Sequence, residues 1–406
     1  MKKVVILGAG FAGLHIFYKI RRLIGKTIEV TVIDRRSHSL LKPSLPEVAF
    51  EGAPLSHSLV ELEHTLRSRG AEFIQEEVTR IDAAANRLEL SNGGQVEYDY
   101  LFIALGAVKD YDAIKGYREY GYSLCDDEQA QRLWERVRTF TGGDIVTGAA
   151  KSTWGTRVDA PPLSAPCEGP IGEIMFMLDY YLERDRHLQR RKDYKIDVFT
   201  PGGIFFEDVG DTPREVVGKQ MKAREIALHN NKVLTEIGKD FVAFEDGTTM
   251  PCDLAIVIPP YSAPEVLKRS QIGDEKGFIP TDTQMRHLDY PNIFAAGDIT
   301  ALAQPKLGHV AIIQGAIAAA TLMKELGEDV KIPPHDLEVF CIMNMGGHDA
   351  TLIVSDVLYG GSTDKAIYSP LSKMMKWGFD SYLYYNKGHM PPDFAMEMTD
   401  KLLKIV

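Results

Sequence analysis

Val4-Val5-Ile6-Leu7-Gly8-Ala9-Gly10-Phe11-Ala12-Gly13 opens the chain with four consecutive apolar, mostly β-branched residues running straight into three glycines spaced G-x-G-x-x-G. An amphipathic stretch to Leu23 and a second apolar run from Ile28 to Asp34 follow. Strand, glycine turn, helix and strand in that order predict the first unit of a dinucleotide-binding α/β fold. Gly8 permits the tight turn, Gly10 lets backbone approach a pyrophosphate, and Gly13 lets the helix pack closely on the strand, leaving the helix N-terminus for the phosphates. Asp34 lies 26 positions after Gly8, at the end of the second strand, where a carboxylate takes the ribose hydroxyls. The glycines alone are a weak signal; with the flanking strand and the terminal acid they are specific.

Outward from that turn, 406 residues are enough for two or three domains. Apolar residues at 45% and charged residues at 25% match an ordinary folded protein, and a net charge of −11 argues against a nucleic-acid partner. No run approaches the ~18 apolar residues of a membrane span. Met1 to Leu7 reads as a core strand rather than a signal peptide, because it enters the glycine turn without a cleavage site. The four cysteines, at 125, 167, 252 and 341, are too dispersed for a Cys-x-x-Cys motif, so no metal site is expected. Each begins as a small buried apolar residue.

Three further segments read as buried strands: Tyr98 to Ala107 with its stop at Gly106, Cys252 to Ile258 before Pro259-Pro260, and Asn292 to Asp298, which ends Ala295-Ala296-Gly297-Asp298. With the first motif, these resemble the two-dinucleotide-binding disulfide reductase superfamily, over residues 1 to about 325. The resemblance implies FAD, contacted by Gly8, Gly10, Phe11, Ala12, Gly13, Asp34, Arg35, Lys42, Pro43, Val78, Ala104, Gly106, Gly297, Asp298, Lys306 and Gly308. It also implies an α/β architecture of two Rossmann-like domains, the FAD domain being discontinuous. The expected division is 1–112 and 271–327 for FAD, 113–270 for the second domain, and 328–406 for a C-terminal membrane-associated region.

The second domain should bind NAD(P)H, yet the strand Asp144 to Thr147 is followed by Gly148-Ala149-Ala150-Lys151-Ser152-Thr153-Trp154-Gly155. The second glycine is missing, and Lys151 and Trp154 add bulk where a pyrophosphate would approach. No acid follows the next strand, which ends Val198-Phe199-Thr200-Pro201-Gly202. This domain is therefore expected to serve as scaffold, with a donor other than a nicotinamide.

Cys167 stands in Pro166-Cys167-Glu168-Gly169-Pro170, just before a long apolar helical pattern. A thiol at a helix N-terminus is expected to have a lowered pKa and to act as a nucleophile. At this run the sequence resembles the sulfide:quinone oxidoreductases. The resemblance implies that Cys167 pairs with Cys341, 174 positions away, and that Cys125 serves the initial sulfur chemistry or anchors the flavin covalently. Pro259-Pro260-Tyr261 and Pro305-Lys306-Leu307-Gly308 share it. It implies that sulfide opens a Cys167–Cys341 bridge, that electrons pass through FAD to a membrane quinone, and that polysulfide or sulfur leaves. Lys306 is expected near the flavin, and Glu168 either transfers protons or is a plain helix-start carboxylate. Cys252, without a counterpart in that family, is assigned to the core. His309 stands where relatives carry an aromatic residue; it either relays protons or is an ordinary polar residue opening the helix His309 to Leu326.

In the tail, Leu371, Met374, Met375, Gly378, Phe379 and Tyr382 recur at helical spacing, with Lys373, Lys376 and Asp380 opposite. Such a helix lies on a bilayer surface, or packs on its own core or on a second subunit. The resemblance favours the membrane, with Phe379 and Ile342 as walls of a quinone slot, which makes the protein peripheral to the membrane and leaves a homo-oligomer open. A type II NADH:quinone oxidoreductase, a sulfide dehydrogenase donating to cytochrome c and a flavin-binding redox sensor are the alternatives.

Overall fold

In the computed structural model, which describes residues 1–155, 163–302 and 304–392, the strand Lys2–Leu7 lies inside a five-stranded parallel sheet. Its spatial order is Ile293–Ala295, Tyr100–Ile103, Lys2–Leu7, Ile28–Asp34, Glu72–Gln75. Val4 pairs with Val30 on one side and Tyr100 on the other. Val4 to Leu7 are buried, as an unbroken apolar run in a parallel sheet covered on both faces should be.

A second parallel sheet repeats the arrangement: Gly121–Tyr122, Leu254–Ile258, Gly143–Ala149, Tyr194–Phe199, Ala227–His229. In each sheet the first long strand sits at the centre, its two successors on one side and two further strands on the other. The last strand of the first sheet arrives only after the second sheet is complete, so the α/β fold with two Rossmann-like sheets and a discontinuous first one is present as expected.

The helix Phe11–Ile20 leaves the glycine turn and packs on the long helix Gly308–Glu325. Small residues permit the approach: a Cβ on Gly315 would lie 3.1 Å from the Ala12 carbonyl oxygen. This contact carries Gly297, Lys306 and Gly308 to the turn. Three antiparallel strands, Val339–Asn344, Ala350–Ser355 and Asp364–Ser369, then lead to the helix Pro370–Tyr385. Ser369 caps that helix, its Oγ accepting the Ser372 N–H at 3.2 Å, and Pro370 occupies the first turn, where its missing donor costs nothing. Among the described residues no helix is long and apolar enough to cross a membrane.

Candidate functional site

The C-terminal ends of the first sheet's strands converge on one groove, the place where open parallel sheets bind ligands. Gly8 has φ +91°, and a Cβ there would lie 2.4 Å from the Ala104 oxygen. One on Gly13 would lie 1.8 Å from the Gly8 oxygen, whereas one on Gly10 would meet nothing within 4 Å. The turn is thus closed against protein at Gly8 and Gly13 and open at Gly10, which fits a pyrophosphate. Asp34 accepts the N–H groups of Ala9 (2.8 Å) and Arg36 (2.9 Å), leaving lone pairs for ribose hydroxyls.

Gly297, Asp298, Lys306 and Gln314 line one cavity on the other side of the turn. The Gly297 N–H donates to Gln314 Oε1 at 2.7 Å, and Lys306 Nζ donates to the Asp298 carbonyl at 2.9 Å. Burial brings Lys306 down to about 8, opposed by Asp298, so it stays charged at neutral pH and is not a solvated surface lysine. Gly308 packs 3.7 Å from the Phe11 ring at the position its Cβ would take. Gly106, at φ +67°, is open. Ala104 and Ala12 are buried beside the turn, and Arg35 and Lys42 are exposed. Val78 is buried in the cluster of Val5, Ile33 and Leu101, so its side chain is committed to the core.

Two sulfurs approach Gly169. A Cβ placed there would lie 3.7 Å from Cys341 Sγ and 4.0 Å from Cys167 Sγ. Both are free thiols. Local geometry explains the convergence: Cys341 and Met343 point to one face of their strand, and Gly169 and Gly172 lie one turn apart on the helix Gly169–Tyr180. A Cβ on Gly172 would lie 2.0 Å from Met343 Sδ, so the two glycines admit the strand. The Lys306 N–H donates to the Pro166 carbonyl at 2.8 Å, tying the sulfur segment to the dinucleotide groove.

The expected lowering of the Cys167 pKa is overturned. Burial pushes this thiol well above its ordinary range, with Asp208 and Cys341 adding, while the Gly169 N–H lowers it by less. The helix begins two residues later, and a nearly all-apolar helix brings burial with it. Cys341 is pushed up to about 12, by burial first and then by Glu173. Cys125 is also raised by burial; Tyr261 Oη lies 3.8 Å from its Sγ. Cys252 is buried in the core, in a cluster with Val146, Phe244 and Val257.

Glu168 is the N-cap residue of the cysteine helix but makes no capping bond to it. Its Oε2 accepts the N–H of Phe206 at 2.6 Å and of Glu207 at 3.4 Å, and Oε1 is buried without a partner among the described residues. Burial raises its carboxyl to about 8. Two groups escaped the sequence reading. Lys109, whose Nζ donates to the Ala107 carbonyl at 3.1 Å, lies over the Tyr261 ring; burial and then the like charge of Lys42 bring it down to about 7. Glu173 and Lys376 form a buried ion pair of 3.5 Å. The signal for Lys109 was its place just past a buried strand and its glycine stop.

The C-terminal helix turns its charged side to the protein. Lys376 and Asp380 face inward: Lys376, 6% exposed, lies 3.5 Å from both Asp380 and Glu173 and donates to the Pro43 carbonyl at 2.6 Å. The outward face is apolar, with Leu371 63%, Met374 67% and Trp377 72% exposed. The charged side turns inward because Glu47 and Glu173 line the surface on which the helix lands. Phe379 is half-buried with Phe11, Leu41 and Ile312, against the glycine turn. Ile342 and Phe340 take the strand face opposite Cys341, and the His309 ring lies 5.4 Å from that of Phe340, its Nε2 3.4 Å from Glu338. Residues 393–406 of the tail lie outside the described residues.

At the second sheet, no helix follows the strand Gly143–Ala149 among the described residues until Gly169. Gly148 is filled by Phe199, whose oxygen would lie 2.3 Å from a Cβ there, and the Trp154 indole N–H donates to the Leu163 carbonyl at 2.5 Å. Among the described residues, the glycine turn and helix terminus of a dinucleotide site are thus not assembled there.

The sequence pattern of the family described as "Pyridine nucleotide-disulphide oxidoreductase" matches residues 2–149 and 189–315. The chain is 26% identical to the Sulfide-quinone reductase of Aquifex aeolicus, covering 100% of this chain and 96% of that protein. It is 26% identical to the mitochondrial Sulfide:quinone oxidoreductase of Mus musculus, covering 85% and 76%. The crystal structure of the Aquifex aeolicus sulfide:quinone oxidoreductase superposes with a TM-score of 0.87 at 24% identity, over 100% of this chain and 96% of that one. With a glycine turn fitted to a pyrophosphate and a family pattern that spans more than half of its length, the chain belongs to the pyridine nucleotide-disulphide oxidoreductase family.

Proposed function

We propose that this protein is an FAD-dependent sulfide:quinone oxidoreductase. The observation that carries the reading is the approach of two thiols, Cys167 buried and Cys341 half-buried, from segments 174 positions apart, to one glycine beside the dinucleotide groove. FAD, when bound, supplies the two-electron carrier between sulfur and quinone. The residues for it are Gly8, Gly10, Gly13, Asp34, Gly297, Asp298 and Lys306, with Cys125 as the candidate covalent anchor.

HS⁻ attacks the oxidised Cys167–Cys341 pair, breaking its S–S bond and forming a new one; one cysteine becomes a persulfide and the other a thiolate. Reclosing the pair, with the outer sulfur leaving as S⁰ or joining a growing polysulfide, gives up a proton and two electrons, which bound FAD would carry to the quinone. Glu168, protonated below about 8, holds a proton within two residues of Gly169. The strand Val339–Asn344 separates the two halves of the reaction, because alternate residues face opposite sides: Cys341 toward the cysteine helix, Ile342 away from it. Ile342 and Phe379 are proposed to receive the quinone on that second side.

The apolar outward face of the C-terminal helix is proposed to lie on a bilayer, where the quinone resides. The relatives named for sulfide and quinone support the reading, and the unassembled second dinucleotide site disfavours NADH as donor. Anaerobic mixing with sulfide, then quinone, is the test: FAD absorbance should bleach with sulfide and recover with quinone. Bleaching by NADH but not by sulfide would overturn the assignment.

A further inference from the structure

On that reading, HS⁻ gives up two electrons and one proton while a quinone takes up two electrons and two protons. The quinone side thus takes up two protons per turnover and the sulfur side releases one, a net uptake of one proton from solvent.

A row of ionisable side chains not yet given a role runs from the surface to the cysteine helix. Glu173, on the cysteine helix, raises Cys341 electrostatically, and its Oε1 accepts the Asn344 N–H at 3.1 Å. Lys376 Nζ lies 3.5 Å from Glu173 and 3.9 Å from Glu47. Asn344 Nδ2 donates to Glu47 Oε1 at 2.8 Å, so one asparagine holds both carboxylates in place. From Glu47 the row continues 3.9 Å to Lys373 and 3.5 Å from Lys373 to Glu51. Side-chain exposure grades from 6% at Lys376 and 12% at Glu173, through 20% at Glu47, to 44% at Glu51.

Four carboxylates, Glu47, Glu51, Glu173 and Asp380, lie against two ammonium groups, Lys373 and Lys376, so carboxylates outnumber cations by two. Burial raises Glu173 to about 7 and Asp380 above its usual range, while the surrounding carboxylates outweigh burial at Lys376 and keep it charged. The exchangeable proton therefore sits on a carboxylate near neutral pH. Glu47 Oε2 is buried and has no hydrogen-bond partner among the described residues, so an acceptor is open at the middle of the row. A cluster that only held the helix down would need neither an open end at solvent nor a closed end at Cys341.

We propose that Glu47 is the relay residue of a proton path running from Glu51 at the surface, past Lys376, to Glu173 beside Cys341 and to the quinone side of the C-terminal helix. The inference rests on quinone reduction but not on the identity of the donor, so the test bypasses sulfide. The FAD-loaded enzyme is photoreduced and mixed with a short-chain quinone in H₂O and in D₂O across neutral pH. Glu47→Gln, which keeps the acceptor for Asn344, should slow reoxidation about tenfold or more and raise the solvent isotope effect, and added formate or azide should restore part of the rate. Glu51→Gln should act in the same direction more weakly. A Glu47→Gln rate within about twofold of wild type, with an unchanged isotope effect, overturns the path. Should Glu47→Gln lose its flavin through misfolding, the exposed Glu51 decides: an isotope effect equal to wild type overturns it. A wild-type protein that sulfide does not reduce, but whose reoxidation shows the Glu47 effect, keeps the path and refutes sulfide as donor.

Discussion

Cys167 stands two residues ahead of a helix, and the Gly169 N–H does favour its thiolate, yet burial among apolar neighbours outweighs that contribution. A thiolate generated here is a strong nucleophile, since nucleophilicity rises with pKa. Replacing either cysteine by serine should cut the rate of bleaching by sulfide at least about a thousandfold. Reoxidation of photoreduced enzyme by quinone should persist, and stopped-flow absorbance measures both steps. Glu168 gives a stability signature as well. Its carboxyl is raised from 4.5 to about 8, so between those pH values an unfolded chain has lost the proton that the folded protein keeps. Stability therefore falls as pH rises through that window. In Glu168→Gln the urea midpoint should decline less steeply with pH than in wild type; equal slopes would refute the shift.

At the scale of elements, two glycines one turn apart meet two strand residues of one face, and that match delivers Cys341 to Cys167. The C-terminal helix lays its charged side on a charged surface. Its lysine at 376 is buried on carboxylates, and Leu371, Met374 and Trp377 are left outside. An apolar face kept in water is unfavourable by roughly 25 cal/mol per Å², so a covering surface is called for. Trp377→Glu should reduce co-sedimentation with phospholipid vesicles several-fold and leave the urea midpoint nearly unchanged, because an exposed side chain contributes little to folding. Vesicle binding equal to wild type would reject the membrane face.

For the whole molecule, a ligand that binds only the folded chain stabilises it by mass action, about 2.7 kcal/mol at a hundredfold excess over Kd. Stripping FAD should lower Tm, and adding FAD back should restore it; NADH should produce no such rise, because the second sheet lacks its glycine turn. A thermal melt with each nucleotide checks this. What the sequence by itself determined is what depends on neighbours in the chain. Val4 to Gly13 dictates strand, turn and helix through backbone sterics, and Gly148 to Gly155 lacks the same pattern for the same local reason. The cysteine and glutamate candidates were legible as residue types at telling positions, and so was the helix at the tail. Only the tertiary structure decided which groups touch. The meeting of Cys167 with Cys341, the burial that raises both thiols, the charge row through Glu47 and the outward face of the last helix all depend on segments far apart in the chain. Spacing along a polymer carries no information about which desolvated surface each segment will meet, and desolvation is what sets these charges and pKa values.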